Sequence, residues 1–85
     1  MSDLLINIYC PSISKSYDFW IPGSMKTSNV IQQVCEAISE IENNKNIFVN
    51  RESLILCSYM LKEVLPADAT LDFAGIRSGD RLAVV

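Results

Sequence analysis

The side chains with the most intrinsic reactivity in this 85-residue chain are Cys10, Cys35 and Cys57, and their spacing argues against most of what thiols can do. An odd number of cysteines with no C-x-x-C pair is neither a disulfide framework nor a zinc site. They read as reduced thiols that pack as small hydrophobes. The chain contains no histidine, which removes imidazole acid–base catalysis and His metal ligation. It also lacks a Walker loop, a Gly-rich dinucleotide fingerprint and a Ser nucleophile elbow. Glu36 and Glu40 stand four residues apart with Glu42 close behind, but carboxylates along a helix form a solvated face unless further groups converge on them in a cleft. No catalytic, cofactor-binding or metal-ligating residues are expected, so the function should lie in binding.

Composition narrows the partner. The formal charge is −3, and the seven Lys and Arg residues are scattered with no basic run to neutralise a phosphate backbone, so nucleic-acid binding is disfavoured. Met1-Ser2-Asp3 lacks the positive leader of a signal peptide, and no apolar run approaches the roughly 18 residues needed to cross a bilayer. A soluble cytoplasmic protein without direct membrane insertion is the expectation. Nearly half the residues are hydrophobic and a fifth charged, the balance of a folded domain, and residues 1–85 read as one continuous unit without linker or repeat.

The elements follow from changes of period. Leu4, Ile6, Ile8 and Cys10 alternate with Leu5, Asn7 and Tyr9, the pattern of a strand with one face in the core; Pro11 closes it and residues 12–16 can turn. Tyr17, Phe19 and Ile21 alternate with Asp18 and Trp20, predicting a second strand in a hairpin with the first, stopped at Pro22-Gly23. Thr27-Ser28-Asn29 are good N-cap residues, and the helix after them should bury a stripe of Val30, Val34, Ala37, Ile38 and Ile41, leaving Gln32, Gln33, Glu36, Ser39 and Glu40 outside. The run Asn43-Asn44-Lys45-Asn46 should end it. Ile47, Phe48 and Val49 fit either a short strand or an apolar loop packed under the domain. Leu54 to Ser58 reads as a strand, Met60-Leu61 as a short edge strand, Ser78-Gly79-Asp80 as a turn and Arg81 to Val85 as a last strand. The hydroxyl of Thr70 can accept from the backbone N–H of Asp72 or Phe73 and fix a tight turn.

These elements predict an α+β domain, with one helix on one face of a mixed four- to five-stranded sheet. The spacing after Leu54 is more specific. Leu54-Ile55-Leu56, Leu61, Thr70-Leu71, Ile76, Leu82 and Val84 together resemble ubiquitin and its β-grasp relatives. In that superfamily a Leu-Ile-Phe-like strand is followed seven residues on by a core Leu, then by a Thr-Leu that caps a short helical turn, and by an Ile buried five residues later. The Ile21 to Val30 spacing from second strand to helix is similar too. Within the superfamily, the chain length and the turn Gly79-Asp80-Arg81-Leu82 running directly into a terminal strand look like the YukD-type accessory proteins of bacterial type VII secretion. The resemblance implies a non-catalytic ubiquitin-like protein-binding module, an accessory or regulator of such a secretion system, whose partners include its membrane components. The alternative is a ubiquitin-like modifier or sulfur carrier with a missing Gly-Gly tail, disfavoured because the sequence closes on Leu82-Ala83-Val84-Val85.

Strand parity locates the expected binding surface. If Tyr17, Phe19 and Ile21 point to the helix, Trp20 faces the other way, as do Leu5, Asn7 and Tyr9, Ile55 and Cys57, and Ala83 and Val85. The resemblance points to the same face, because the position that Ile55 matches centres the common docking surface of ubiquitin-like domains. Tyr9, Trp20, Ile55, Cys57, Ala83 and Val85 are therefore the candidate protein-binding residues, with Trp20, Ile55 and Val85 as anchors for a protein partner or, in a homodimer, a second copy of the chain.

Overall fold

A computed structural model describes residues 3–48 and 50–85. Val49, third in the run expected to be strand or loop, and Met1 and Ser2 at the leader position lie outside them. Among the described residues, five strands and one helix follow in the order β1 (Asp3–Cys10), β2 (Lys15–Pro22), α1 (Thr27–Ile41), β3 (Leu56–Ser58), β4 (Glu63–Val64) and β5 (Arg81–Val84), with one 3-10 turn at Arg51–Ser53. The sheet order is β2-β1-β5-β3-β4. β1 pairs antiparallel with β2 over its full length and parallel with β5, and β5 pairs antiparallel with β3. The sheet is thus mixed, and the last strand occupies its centre.

The alternation of β1 and β5 explains the core. Ile6, Ile8 and Cys10 from β1, Leu56 from β3 and Leu82 and Val84 from β5 are buried on one face together with Val30, Val34 and Ile38 of α1. Leu71 and Ile76 close the end of this core. As expected, the Phe73 N–H donates to Thr70 Oγ1 at 3.1 Å and fixes the turn between them. The helix end also follows expectation. Asn43 takes the left-handed conformation at φ 54°, and the Asn44 N–H reaches back to the Ser39 carbonyl at 3.0 Å.

Four expectations need correction. Thr27, Ser28 and Asn29 do not precede the helix but form its first turn, after Lys26 and with no side-chain cap. A distant segment caps it instead: the Thr27 and Ser28 N–H groups donate to the carbonyls of Ala69 (2.9 Å) and Ala67 (3.0 Å), and the buried Thr27 hydroxyl donates to Ala69 O as well. The buried stripe is rotated. Ile31, Cys35 and Ser39 are buried, whereas Ile41 is 59 % exposed. The reason is that the 3-10 turn covers the Cys35 flank, held by Arg51 Nη1 donating to Glu36 Oε1 at 3.0 Å, while Ala37 borders an open groove against Phe19 and Trp20 of β2. Covering that flank leaves Ser39 Oγ buried without a hydrogen-bond partner among the described residues. Of the two alternatives for Ile47 and Phe48, the loop is the one found, with Phe48 buried.

The last two corrections share one cause. Met60-Leu61 is a turn, not an edge strand, because Ser58 captures the N–H groups three and four residues on: Leu61 N–H on its hydroxyl (3.0 Å) and Lys62 N–H on its carbonyl (2.8 Å). Lys62 takes φ 57°, and pairing resumes only at β4. The turn carries Leu61 outward to 39 % exposure, so the core position the resemblance assigned to it is filled by Leu65, 3 % exposed.

Candidate protein-docking face

The helix covers one face of the sheet, and the register of the strands orders the other face into rows. Cross-strand partners place Tyr9, Ala83, Cys57 and Val64 in one line across β1, β5, β3 and β4. One step further along, Ile55 and Val85 exchange backbone hydrogen bonds of 2.9 and 3.0 Å, extending the ladder beyond the regular strands. Ala83 is buried in the middle of the line; Ile55, Val64 and Val85 at its margin are exposed, as are Tyr59 and Met60 in the β3–β4 turn. Of the candidates, Tyr9, Ile55, Cys57, Ala83 and Val85 therefore form one apolar group.

Trp20 does not join it. Its register partner is Leu5, at the opposite end of β1 from Tyr9, and β2 is the far edge of the sheet. Trp20 and Ile55 are three strand spacings apart sideways and six residues along the strands, about 25 Å at ordinary sheet dimensions. Between them runs a polar row. Asp18 Oδ1 accepts from Asn7 Nδ2 at 2.9 Å, Asn7 Oδ1 accepts from Arg81 Nε at 3.1 Å, and the Arg81 guanidinium carbon lies 6.0 Å from the centre of the Tyr59 ring. Trp20 is 67 % exposed at its corner. A standard interface of about 800 Å² per partner is roughly 30 Å across and could reach both ends, but a short peptide could not.

Val64, Tyr59, Met60 and the polar row were missed from the sequence. Extending the Ile55, Cys57 alternation by one step would have found Tyr59. An edge strand expected at Met60-Leu61 hides Val64, whose pairing with Cys57 begins only after the turn.

The thiols divide by environment. Cys10 and Cys35 are buried, and burial pushes the Cys35 thiol up to about 11, which keeps it protonated at neutral pH. Cys57, half-buried, is the thiol of the outer face. No group of three or more His, Cys, Asp and Glu side chains able to hold a metal ion comes together among the described residues, and none of their helices is long and apolar enough to cross a membrane.

No protein-family model matches the chain, and no match to it is found among curated proteins. Solved structures do match. The ubiquitin-like domain of Plasmodium falciparum Dsk2 aligns over 98 % of this chain and 96 % of its own at 11 % identity, with a TM-score of 0.74. Caldiarchaeum subterraneum ubiquitin aligns over 98 % and 91 % at 15 % identity and a TM-score of 0.73. A chain from a structure of molecular mimicry of SUMO that promotes DNA repair aligns over 100 % and 92 % at 16 % identity and a TM-score of 0.77. With the five-stranded mixed sheet and its single helix, these likenesses define the class: the chain has the ubiquitin-like β-grasp fold.

Proposed function

We propose that this protein is a non-catalytic ubiquitin-like module that binds a protein partner on the outer face of its sheet. The observation that carries the reading is the contiguous apolar group of Ile55, Val64 and Val85 beside Tyr9, Cys57 and Ala83, on the face the helix leaves uncovered. Aliphatic and aromatic side chains grouped in this way are what interface centres use, whereas scattered single apolar residues are ordinary surface. The finer reading is a cytoplasmic accessory or regulator of a type VII secretion system with membrane components as partners; it rests on the resemblance of the Gly79-Asp80-Arg81-Leu82 turn and its following strand to YukD-type proteins.

A pull-down from detergent-solubilised native cells tests both levels. Wild type is compared with Ile55→Glu and, separately, Trp20→Glu, each first checked for native amide dispersion. Loss of the partner with Ile55→Glu and retention with Trp20→Glu places docking on the apolar group; loss with both requires a partner wide enough to span the face. Secretion-system membrane proteins in the wild-type recovery support the finer reading, and recovery of conjugation or sulfur-transfer enzymes alone overturns it in favour of a modifier or carrier. Sedimentation at tens of micromolar separates a second copy of the chain from a different partner.

A further inference from the structure

Arg81 sits in the central strand of the outer face and is exposed, yet it is not a loose surface arginine. Its Nε is held by Asn7 Oδ1, and the Asn7 amide is itself held by Asp18, so three strands set the direction of the guanidinium. Tyr59 lies on its other side, within the range of cation–π attraction. Among the described residues neither Nη group has a hydrogen-bond partner, and neither ion pair, Lys15 with Glu42 or Arg51 with Glu36, involves Arg81. The one carboxylate in its row, Asp18, is engaged by Asn7.

A guanidinium fixed through Nε offers its Nη edge to an incoming acceptor and loses little side-chain freedom when one binds. That edge pairs bidentately with a carboxylate as it does with a phosphate, and on an apolar protein-binding face the acceptor a protein segment brings is a carboxylate. Two residues on from Arg81, on the same face of the same strand, lies Ala83, the centre of the apolar line. We infer that the partner of this face is a protein segment carrying an Asp or Glu side chain next to an aliphatic one, the carboxylate on Arg81 and the aliphatic group against Ile55, Cys57 and Val85. The inference rests on the docking face proposed above. The chain's own charge of −3 repels an acidic partner at long range, so the recognition is local to this guanidinium and does not come from steering.

Two synthetic peptides test it on the full chain by amide NMR titration: acetyl-Glu-Leu-Ile-amide and its Gln counterpart. The Glu peptide is expected to shift the amides of Arg81, Ala83, Cys57 and Ile55 at a concentration about fivefold lower than the Gln peptide does. In Arg81→Gln, checked for unchanged dispersion, that preference should disappear while shifts at Ile55 and Cys57 persist. Equal shifts from both peptides on the wild type overturn the role of Arg81 and leave the docking face standing. No shift on this face from either peptide overturns both. Inorganic phosphate that moves the Arg81 resonances at lower concentration than the Glu peptide overturns the carboxylate as the recognised group.

Discussion

At the scale of single residues, the strongest electrostatic feature lies away from the proposed docking face, where β2 meets the end of the helix. Tyr17 donates its hydroxyl to Glu42 Oε2, and Lys15 Nζ approaches Glu42 Oε1 at 2.9 Å. The Tyr17 hydrogen bond, followed by that from Lys15, holds the Glu42 carboxyl below its ordinary value of 4.5. The same bond, with desolvation and the Glu42 charge behind it, pushes Tyr17 up to about 12 from 10.0. Because the folded Glu42 binds its proton more weakly than the unfolded one, its contribution is present above pH 4.5 and is lost as pH falls through the lower folded value. Tyr17 has the opposite sign: its contribution is present below pH 10 and is lost as pH rises toward 12. In Tyr17→Phe the Glu42 carboxyl should therefore titrate at a higher pH, read by carboxyl-carbon NMR; an unchanged midpoint would show that Lys15 alone sets it. Gly79 offers a second test. Its φ of 96° is a conformation L side chains rarely adopt, although nothing lies within 4 Å of where a Cβ would stand. Gly79→Ala should thus cost about 1–2 kcal/mol through backbone strain alone, measured by urea unfolding. A neutral result would mean that the Ser78–Asp80 turn relaxes.

At the scale of elements, local pattern and tertiary context part company. The β1 and β2 alternation, the Asn43 helix end and the Thr70 turn were legible because each depends on near neighbours: a two-residue period, a left-handed Asn, a hydroxyl three residues from its donor. Two features were illegible because distant chain decides them. The helix starts early because residues 67–69 supply its capping carbonyls, and its buried stripe turns toward Cys35 because Arg51 and its neighbours cover that flank. The site was half legible for the same reason. Parity tells which face a side chain is on, but only strand order tells which side chains share a neighbourhood, and the order β2-β1-β5-β3-β4 puts Trp20 and Ile55 on different sides of the Arg81 row. The exchange of Leu61 for Leu65 yields the sharpest test. Leu65→Ala should cost about 2–5 kcal/mol as a core truncation, and Leu61→Ala less than about 1 kcal/mol. The reverse ranking in denaturant unfolding would restore Leu61 to the core and overturn the Ser58-directed turn.

At the scale of the whole molecule, stability depends on a strand that is last in sequence and central in space. β5 joins β1 on one side to β3 on the other, and its Leu82 and Val84 lie in the core that α1 covers. Without it the sheet separates into the β1–β2 hairpin and the β3–β4 pair, whose second strand has only two residues. A two-stranded hairpin is marginal in water unless a further strand or helix completes its core, and the β1–β5 pairing is also the contact that closes the longest loop in the chain. The chain should therefore fold as one cooperative unit, with no stable N-terminal subdomain, although β1, β2 and α1 are contiguous in sequence. Removing residues 81–85 tests this directly. The shortened chain is expected to show collapsed amide dispersion and no cooperative denaturant transition, whereas Ile55→Glu, on the outer face of the complete sheet, should keep both. A dispersed spectrum from the shortened chain would mean that the hairpin and helix sustain a core by themselves, and that the central strand serves the docking face more than the fold.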